Sequence, residues 1–106
     1  MAKTVLITGA SSGVGAATVE AFIEAGWNVV ATMRQPAEPG DERRLVVALE
    51  VTDPRSIAMA VSAARERFGG IDAVVNNAGY GQYGIFEALT PEAVERQLAV
   101  NLLGPM

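Results

Sequence analysis

The spacing of apolar positions changes several times along the chain, and each change marks an element. Thr4-Val5-Leu6-Ile7-Thr8 is a short β-branched run, the pattern of a strand buried on both faces. A Gly/Ser-rich turn follows from Gly9 to Gly15. Between Val14 and Ala25, the residues Val14, Ala17, Thr18, Ala21, Phe22 and Ala25 recur at helical spacing, with Glu20 and Glu24 on the other face. This predicts a helix closed by Gly26, which can take the C′ position without a Cβ penalty. Asn28 to Thr32 is a second strand. Pro36 to Asp41 holds two prolines and a glycine and is a loop. Leu45 to Leu49 is a third strand. Asp53-Pro54 starts a helix, since Asp caps and Pro at the first helical position has no amide hydrogen to waste. That helix runs to Phe68 with Ile57, Ala60, Val61, Ala64 and Phe68 inward, and Gly69-Gly70 stops it. Ile71 to Val75 is a fourth strand. Thr90-Pro91 opens a further helix, with Val94, Leu98 and Leu102 along one stripe.

The order is therefore strand, helix, strand, loop, strand, helix, strand, helix. Such alternation implies an α/β domain whose parallel sheet is covered by helices on both faces. Right-handed crossovers restrict this to a Rossmann-like, doubly wound, three-layer α/β/α sheet. Four strands make it an incomplete one, with the fourth expected as an unpaired edge that invites association.

Composition narrows the chemistry. The chain has 106 residues, half of them hydrophobic, with 19% charged and a net charge of -4. It is one domain or part of one. Lys3 is the only lysine and the arginines are scattered, so the clustered basic footprint of a nucleic-acid binder is missing. The apolar content is too high for a disordered chain. No apolar run approaches the about 20 residues that cross a bilayer. Met1-Ala2-Lys3 leads straight into a strand without a signal-peptide layout, and a cytoplasmic location is expected. There are no cysteines and no histidines. Disulfides, thiol nucleophiles, a Ser-His-Asp triad and His- or Cys-based metal sites are thereby excluded within these residues. Backbone groups, hydroxyls, amides, carboxylates and arginine remain.

The segment Thr8-Gly9-Ala10-Ser11-Ser12-Gly13-Val14-Gly15 lies between the first strand and the first helix. Helix N-terminal amides point outward there and the helix dipole adds partial positive charge, so a phosphate binds well. Glycines let the backbone turn sharply and approach a ligand closely, and Ser11 and Ser12 add hydroxyl donors. The competing reading is a plain strand-to-helix turn of Gly/Ser composition. Its position in a strand-helix-strand unit argues against that. No Lys follows the glycines, which excludes a Walker-type phosphate loop.

The spacing is G-x-x-x-G-x-G. With it, the chain resembles the short-chain dehydrogenase/reductase family. Asn76-Asn77-Ala78-Gly79 after the fourth strand is similar to that family's second signature, and Val100-Asn101 in the last helix to its third. The three motifs occur in order and the resemblance covers essentially the whole chain. It implies reversible hydride transfer between a nicotinamide and an alcohol or carbonyl substrate, in a homodimer or homotetramer. In the family, a Tyr activated by a nearby Lys is the acid-base group, a Ser orients the substrate oxygen, and an Asn holds a water that links the Lys to solvent. Only the Asn has a counterpart here, Asn101, whose other reading is a buried amide at a helix kink. A Tyr-x-x-x-Lys pair is absent, because Gly84 and Glu87 stand where Tyr80 and Tyr83 would need lysine. Residues 1–106 are thus expected to be the N-terminal, dinucleotide-binding half of a single Rossmann-fold domain, without the substrate and catalytic half.

Nucleotide folds that take NAD usually place Asp or Glu at the end of the second strand to hold the ribose 2′-hydroxyl. This chain has Thr32-Met33-Arg34 there. A carboxylate would repel a 2′-phosphate, whereas a guanidinium pairs with it as a bidentate fork. With Ser11 on the turn, NADP(H) is expected over NAD(H). Alternatively, Arg34 is only a solvated loop charge. By resemblance, Glu50 stands where the family has an Asp that meets the adenine amino group, and Val51 follows it. Asn77, Ala78 and Gly79 match residues on the adenosine ribose side, while Asn76 is read as repairing backbone bonds at the strand end and Asp53 as a helix cap. The Thr-Met-Arg stretch and the loop Gly79-Tyr80-Gly81-Gln82-Tyr83-Gly84 resemble family members acting on hydroxysteroids and other lipophilic ketones. The loop's aromatics serve equally well as loop cover or subunit contact. Two other readings stand beside the enzyme: a module that binds dinucleotide without chemistry, and a structural relic that binds nothing.

Overall fold

The structure, a computed structural model, describes residues 2–11, 13–36, 40–50, 53–76 and 84–87, with Asn76 and 84–87 described by their backbone alone. The elements are β1 (Thr4–Ile7), α1 (Gly13–Glu24), β2 (Asn28–Met33), β3 (Arg44–Ala48), α2 (Pro54–Phe68), β4 (Ala73–Asn76) and β5 (Gly84–Glu87). They form one sheet in the order β3-β2-β1-β4-β5. The first four strands are parallel, with Val5 beside Val29 and Ala73, and Val30 beside Leu45. This is the expected α/β architecture. The predicted helix from Thr90 lies outside the described residues.

Strand alternation builds two cores from one sheet. On one face Leu6, Val30 and Val74 meet Ile57, Ala60, Val61 and Ala64 of α2, with Leu45, Val47 and Phe68 packed around them. On the other face Val5, Ile7, Val29, Ala31, Ala73 and Val75 meet Val19 of α1, with Phe22, Ile23 and Val46 alongside. Successive side chains of a strand point to opposite faces, so a strand that is apolar at every position needs cover on both. Val5, Leu6 and Ile7 are completely buried; at about 1.5–3 kcal/mol per large apolar side chain, burial here outweighs any local preference.

Both helices end as their sequences dictate. Asp53 caps α2, its Oδ1 accepting from the Arg55 amide at 2.9 Å, and Pro54 follows. Gly69 closes α2 with φ +88°, its amide donating to the Arg65 carbonyl at 2.8 Å. After α1, the Trp27 amide reaches back to the Phe22 carbonyl and the Gly26 amide to that of Ile23, both at 3.0 Å. This paired closure is a Schellman motif, and it needs the left-handed φ of +93° at Gly26. Its usual apolar contact is present as an edge-on packing of Phe22 against Trp27, with ring centroids 5.0 Å apart.

Two expectations are corrected. The first concerns the face of α1. Val14, Ala17, Ala21 and Ala25 are exposed, while Gly15 and Val19 are buried and Thr18, Phe22 and Ile23 half-buried. The helix is apolar nearly all round, so counting apolar positions cannot orient it. The large side chains Val19, Phe22 and Ile23 decide the packing, because each offers more surface to bury than an alanine. The second concerns the sheet edge. β5 pairs antiparallel with β4, placing Gly84 beside Asn76 and Glu87 beside Ala73. The fourth strand is therefore not an open edge, and a segment to which the sequence pattern assigned no element supplies the cover.

The link from β2 to β3 is short. Only residues 34–43 separate the two strands, where parallel neighbours usually need a dozen or more residues and a helix. Among its described residues there is no helix. A tight turn ends the link: the Asp41 amide donates to the Arg44 carbonyl at 2.8 Å, and Asp41 Oδ1 accepts from the Arg43 amide at 2.9 Å. Arg67 at the end of α2 donates to the Asp41 carbonyl at 2.6 Å. A Cβ on Gly40 would lie 1.7 Å from the Arg44 carbonyl oxygen, whereas one on Gly70 would meet nothing within 4 Å. Gly40→Ala is accordingly expected to cost about 1–3 kcal/mol through overpacking, and Gly70→Ala to stay within about 0.5 kcal/mol. Urea unfolding of the two variants against the parent chain checks the contrast.

Candidate functional site

The C-terminal ends of the parallel strands are tied to one another by a chain of hydrogen bonds. The Thr8 amide donates to the Val75 carbonyl at the end of β4, at 3.0 Å. The buried Thr32 hydroxyl donates to the Ile7 carbonyl at the end of β1, at 2.9 Å. The Ala10 amide donates to the Thr32 carbonyl at 3.0 Å, and the Leu49 amide to the Met33 carbonyl at 2.9 Å. These bonds bring the glycine turn, Arg34, Glu50 and the start of the Asn76 motif to one edge of the sheet. The strand order reverses direction there, β2 lying on one side of β1 and β4 on the other. The crevice outside the strand ends at such a reversal is where open α/β sheets bind ligands.

The three glycines of the turn sit in three different settings. Gly9 has φ +61°, a conformation that side chains with a Cβ adopt at a cost. Gly15 is buried within α1. Gly13 opens α1, yet its φ is not left-handed and an added Cβ would meet nothing within 4 Å. Among the described residues, neither the backbone angle nor packing requires glycine at 13, whereas a ligand seated closely over the helix start would. Ser11 and Val14 are exposed beside it, so the surface around the helix start is open.

Arg34 is exposed immediately after β2. Met33, in the position where an acid would sit, is half-buried and packs among the side chains on the α1 face. Glu50 follows the end of β3; its amide donates to Ser56 Oγ at 2.7 Å and its carbonyl accepts from the Asp53 amide at 2.9 Å. That turn is one sequence reasoning missed: Ser56 is the second holder of Glu50, and nothing in its spacing announces it. Ser12, Val51, Asn77, Ala78, Gly79, Val100 and Asn101 lie outside the described residues, as do Tyr80 and Tyr83. Among the described residues, no three Asp or Glu side chains gather as a metal-binding group, and no helix is long and apolar enough to cross a membrane.

A groove of about 580 Å³ runs from the turn down the α1 face of the sheet. Ala31, Met33 and Val46 floor it, Val19 and Glu20 wall it, and Ser11 stands at its upper end. At its lower end Arg44 pairs with Glu20 at 2.9 Å, an exposed bridge worth at most about 1 kcal/mol.

The fold and the strand-end crevice define a Rossmann-type α/β domain. Residues 3–106 match the model of the short chain dehydrogenase family, and the chain belongs to that family. It is 45% identical over 104 residues to an uncharacterized oxidoreductase of Schizosaccharomyces pombe, covering 96% of this chain and 36% of that protein. It is 42% identical over 103 residues to the 3-ketodihydrosphingosine reductase of Bacteroides thetaiotaomicron, covering 96% of this chain and 38% of that protein. Among solved structures, an NADH-dependent reductase complexed with NAD superimposes with a TM-score of 0.66 at 33% identity, over 74% of this chain and 37% of that one. The chain thus spans well under half the length of the curated relatives it matches.

The open space at Gly13 has a consequence for stability. Gly13→Ala is expected to raise the unfolding free energy by about 0.4–1 kcal/mol, because alanine restricts the unfolded chain and meets no clash in the folded one. Chemical denaturation reads the sign.

Proposed function

We propose that residues 1–106 are the N-terminal, dinucleotide-binding half of a single Rossmann-fold domain in an NADP(H)-dependent oxidoreductase. The whole protein interconverts an alcohol and a carbonyl compound, with lipophilic ketones as the substrate class. The glycine turn (Gly9, Ser11, Ser12, Gly13, Val14 and Gly15) holds the pyrophosphate with helix N-terminal amides and hydroxyls. Arg34 pairs with the ribose 2′-phosphate. Glu50 and Val51 meet the adenine, and Asn77, Ala78 and Gly79 the adenosine ribose. Val100 lines the same cofactor path, and Asn101 holds a water on the proton route. The nicotinamide, when bound, supplies the hydride chemistry. The open space over Gly13 carries this reading, and the gathering of Arg34 and Glu50 at the same sheet edge supports it. Substrate class, a cytoplasmic location and a homodimer or homotetramer are carried over from the sequence and its family resemblance.

Residues 1–106 contain no Tyr-x-x-x-Lys, which favours a second reading for this stretch taken alone: it binds dinucleotide without turnover. NADPH titration of the chain, followed by a ketone-reduction assay, is expected to give saturable binding and no reduction. Turnover without the Tyr and Lys would overturn the assignment of roles.

The choice of cofactor rests on Arg34. Charge-assisted hydrogen bonds contribute about 1.5–3 kcal/mol, so Arg34→Asp is expected to weaken NADPH binding about tenfold or more and to leave NADH binding unchanged or improved. Unaltered relative affinities for the two would reject the 2′-phosphate role. Gly13→Ala, in contrast, is expected to weaken both cofactors together, because its methyl group enters the space assigned to the shared pyrophosphate.

A further inference from the structure

We propose that Thr32 is a positioning residue for the phosphate turn, gripping the chain on both sides of the bend at Gly9. The inference rests on the reading that this turn holds a pyrophosphate. Thr32 is completely buried. Its hydroxyl donates to the Ile7 carbonyl at 2.9 Å, and its own carbonyl accepts from the Ala10 amide at 3.0 Å. Between those two contacts lie only Thr8 and Gly9, where the chain takes φ +61° and leaves the sheet. One residue of β2 therefore fixes both the entry and the exit of the turn.

Packing alone does not call for a hydroxyl here. Thr32 follows Val30 on the face that also holds Leu6 and Val74, a layer of apolar side chains in which valine would fill the same shape. A hydroxyl buried among such neighbours is unfavourable unless it is bonded, and this one donates to the last carbonyl of β1. Two residues further along, Arg34 leaves the same strand. Thr32 thereby fixes the spacing between the turn and Arg34, the two places assigned to negative charge on one ligand. A ligand that uses both places depends on that spacing, and a ligand that uses one does not.

The experiment compares Thr32→Val and Thr32→Ser with the parent chain, using NADPH and adenosine 2′-monophosphate as probes. Valine keeps the shape and removes the bond; serine keeps the hydroxyl. Thr32→Val is expected to raise the Kd for NADPH about fivefold to tenfold and to leave that for adenosine 2′-monophosphate unchanged. It is also expected to speed amide hydrogen exchange at Ala10, and Thr32→Ser is expected to bind NADPH within twofold of the parent. Unchanged NADPH binding in Thr32→Val, while the parent binds, overturns the positioning role alone. Equal weakening of both probes in step with a lowered Tm assigns Thr32 to stability and overturns it as well. Failure of the parent chain to bind NADPH rejects the proposed function itself, and this inference with it.

Discussion

Everything in this domain follows from a sheet that must be covered on two faces. The central strand β1 is apolar at Val5, Leu6 and Ile7, and all three are fully buried. Alternation sends Leu6 to one side and its neighbours to the other. One helix cannot satisfy both, so α1 and α2 lie on opposite faces. Parallel strands then force every strand-to-helix connection to leave from the same edge. The glycine turn, Arg34 and Glu50 share that edge because of the burial pattern beneath them, and the crevice at the strand ends is a by-product of covering the core.

The clarity of the sequence varied with how unevenly each element divides apolar from polar. In α2, charges and serines separate cleanly from Ile57, Ala60, Val61 and Ala64, and Asp53-Pro54 marks the start with specific cap chemistry. Its limits and inward face were therefore readable. In α1 the alanines blur the division. Ala17, Ala21 and Ala25 count as apolar but have little surface to bury, and the true contact line runs through Gly15, Val19, Phe22 and Ile23. β5 carries no legible signal either. It is four residues long, begins with glycine and follows a Gly/Tyr-rich stretch, so only the neighbouring β4 backbone defines it as a strand.

At the site, residue types were legible and their mutual arrangement was not. Glycine spacing pointed to the turn, yet only the structure separates a glycine held at a left-handed angle at 9 from one buried in the helix at 15 and one facing open space at 13. Likewise, Thr32 reads as an ordinary β-branched strand residue. Its role emerges from a contact across 25 positions of sequence, which no local pattern encodes. Met33 shows the same limit: the sequence reveals the missing acid, while the structure shows the methionine turned into the α1-side core.

The abbreviated connection between β2 and β3 makes this region a natural place for the domain to grow. Its upper end is pinned where Leu49 bonds to Met33, and its lower end where Val29 bonds to Arg43. Added length between these anchors would leave strand pairing intact, since closing a longer loop costs little extra entropy. An inserted amphipathic helix would find a ready-made apolar bed in Ala31, Met33 and Val46. Variation in segment size here would remodel the surroundings of Ser11 while sparing the hydrogen-bonded ladder, a route to a reshaped groove on an unchanged scaffold.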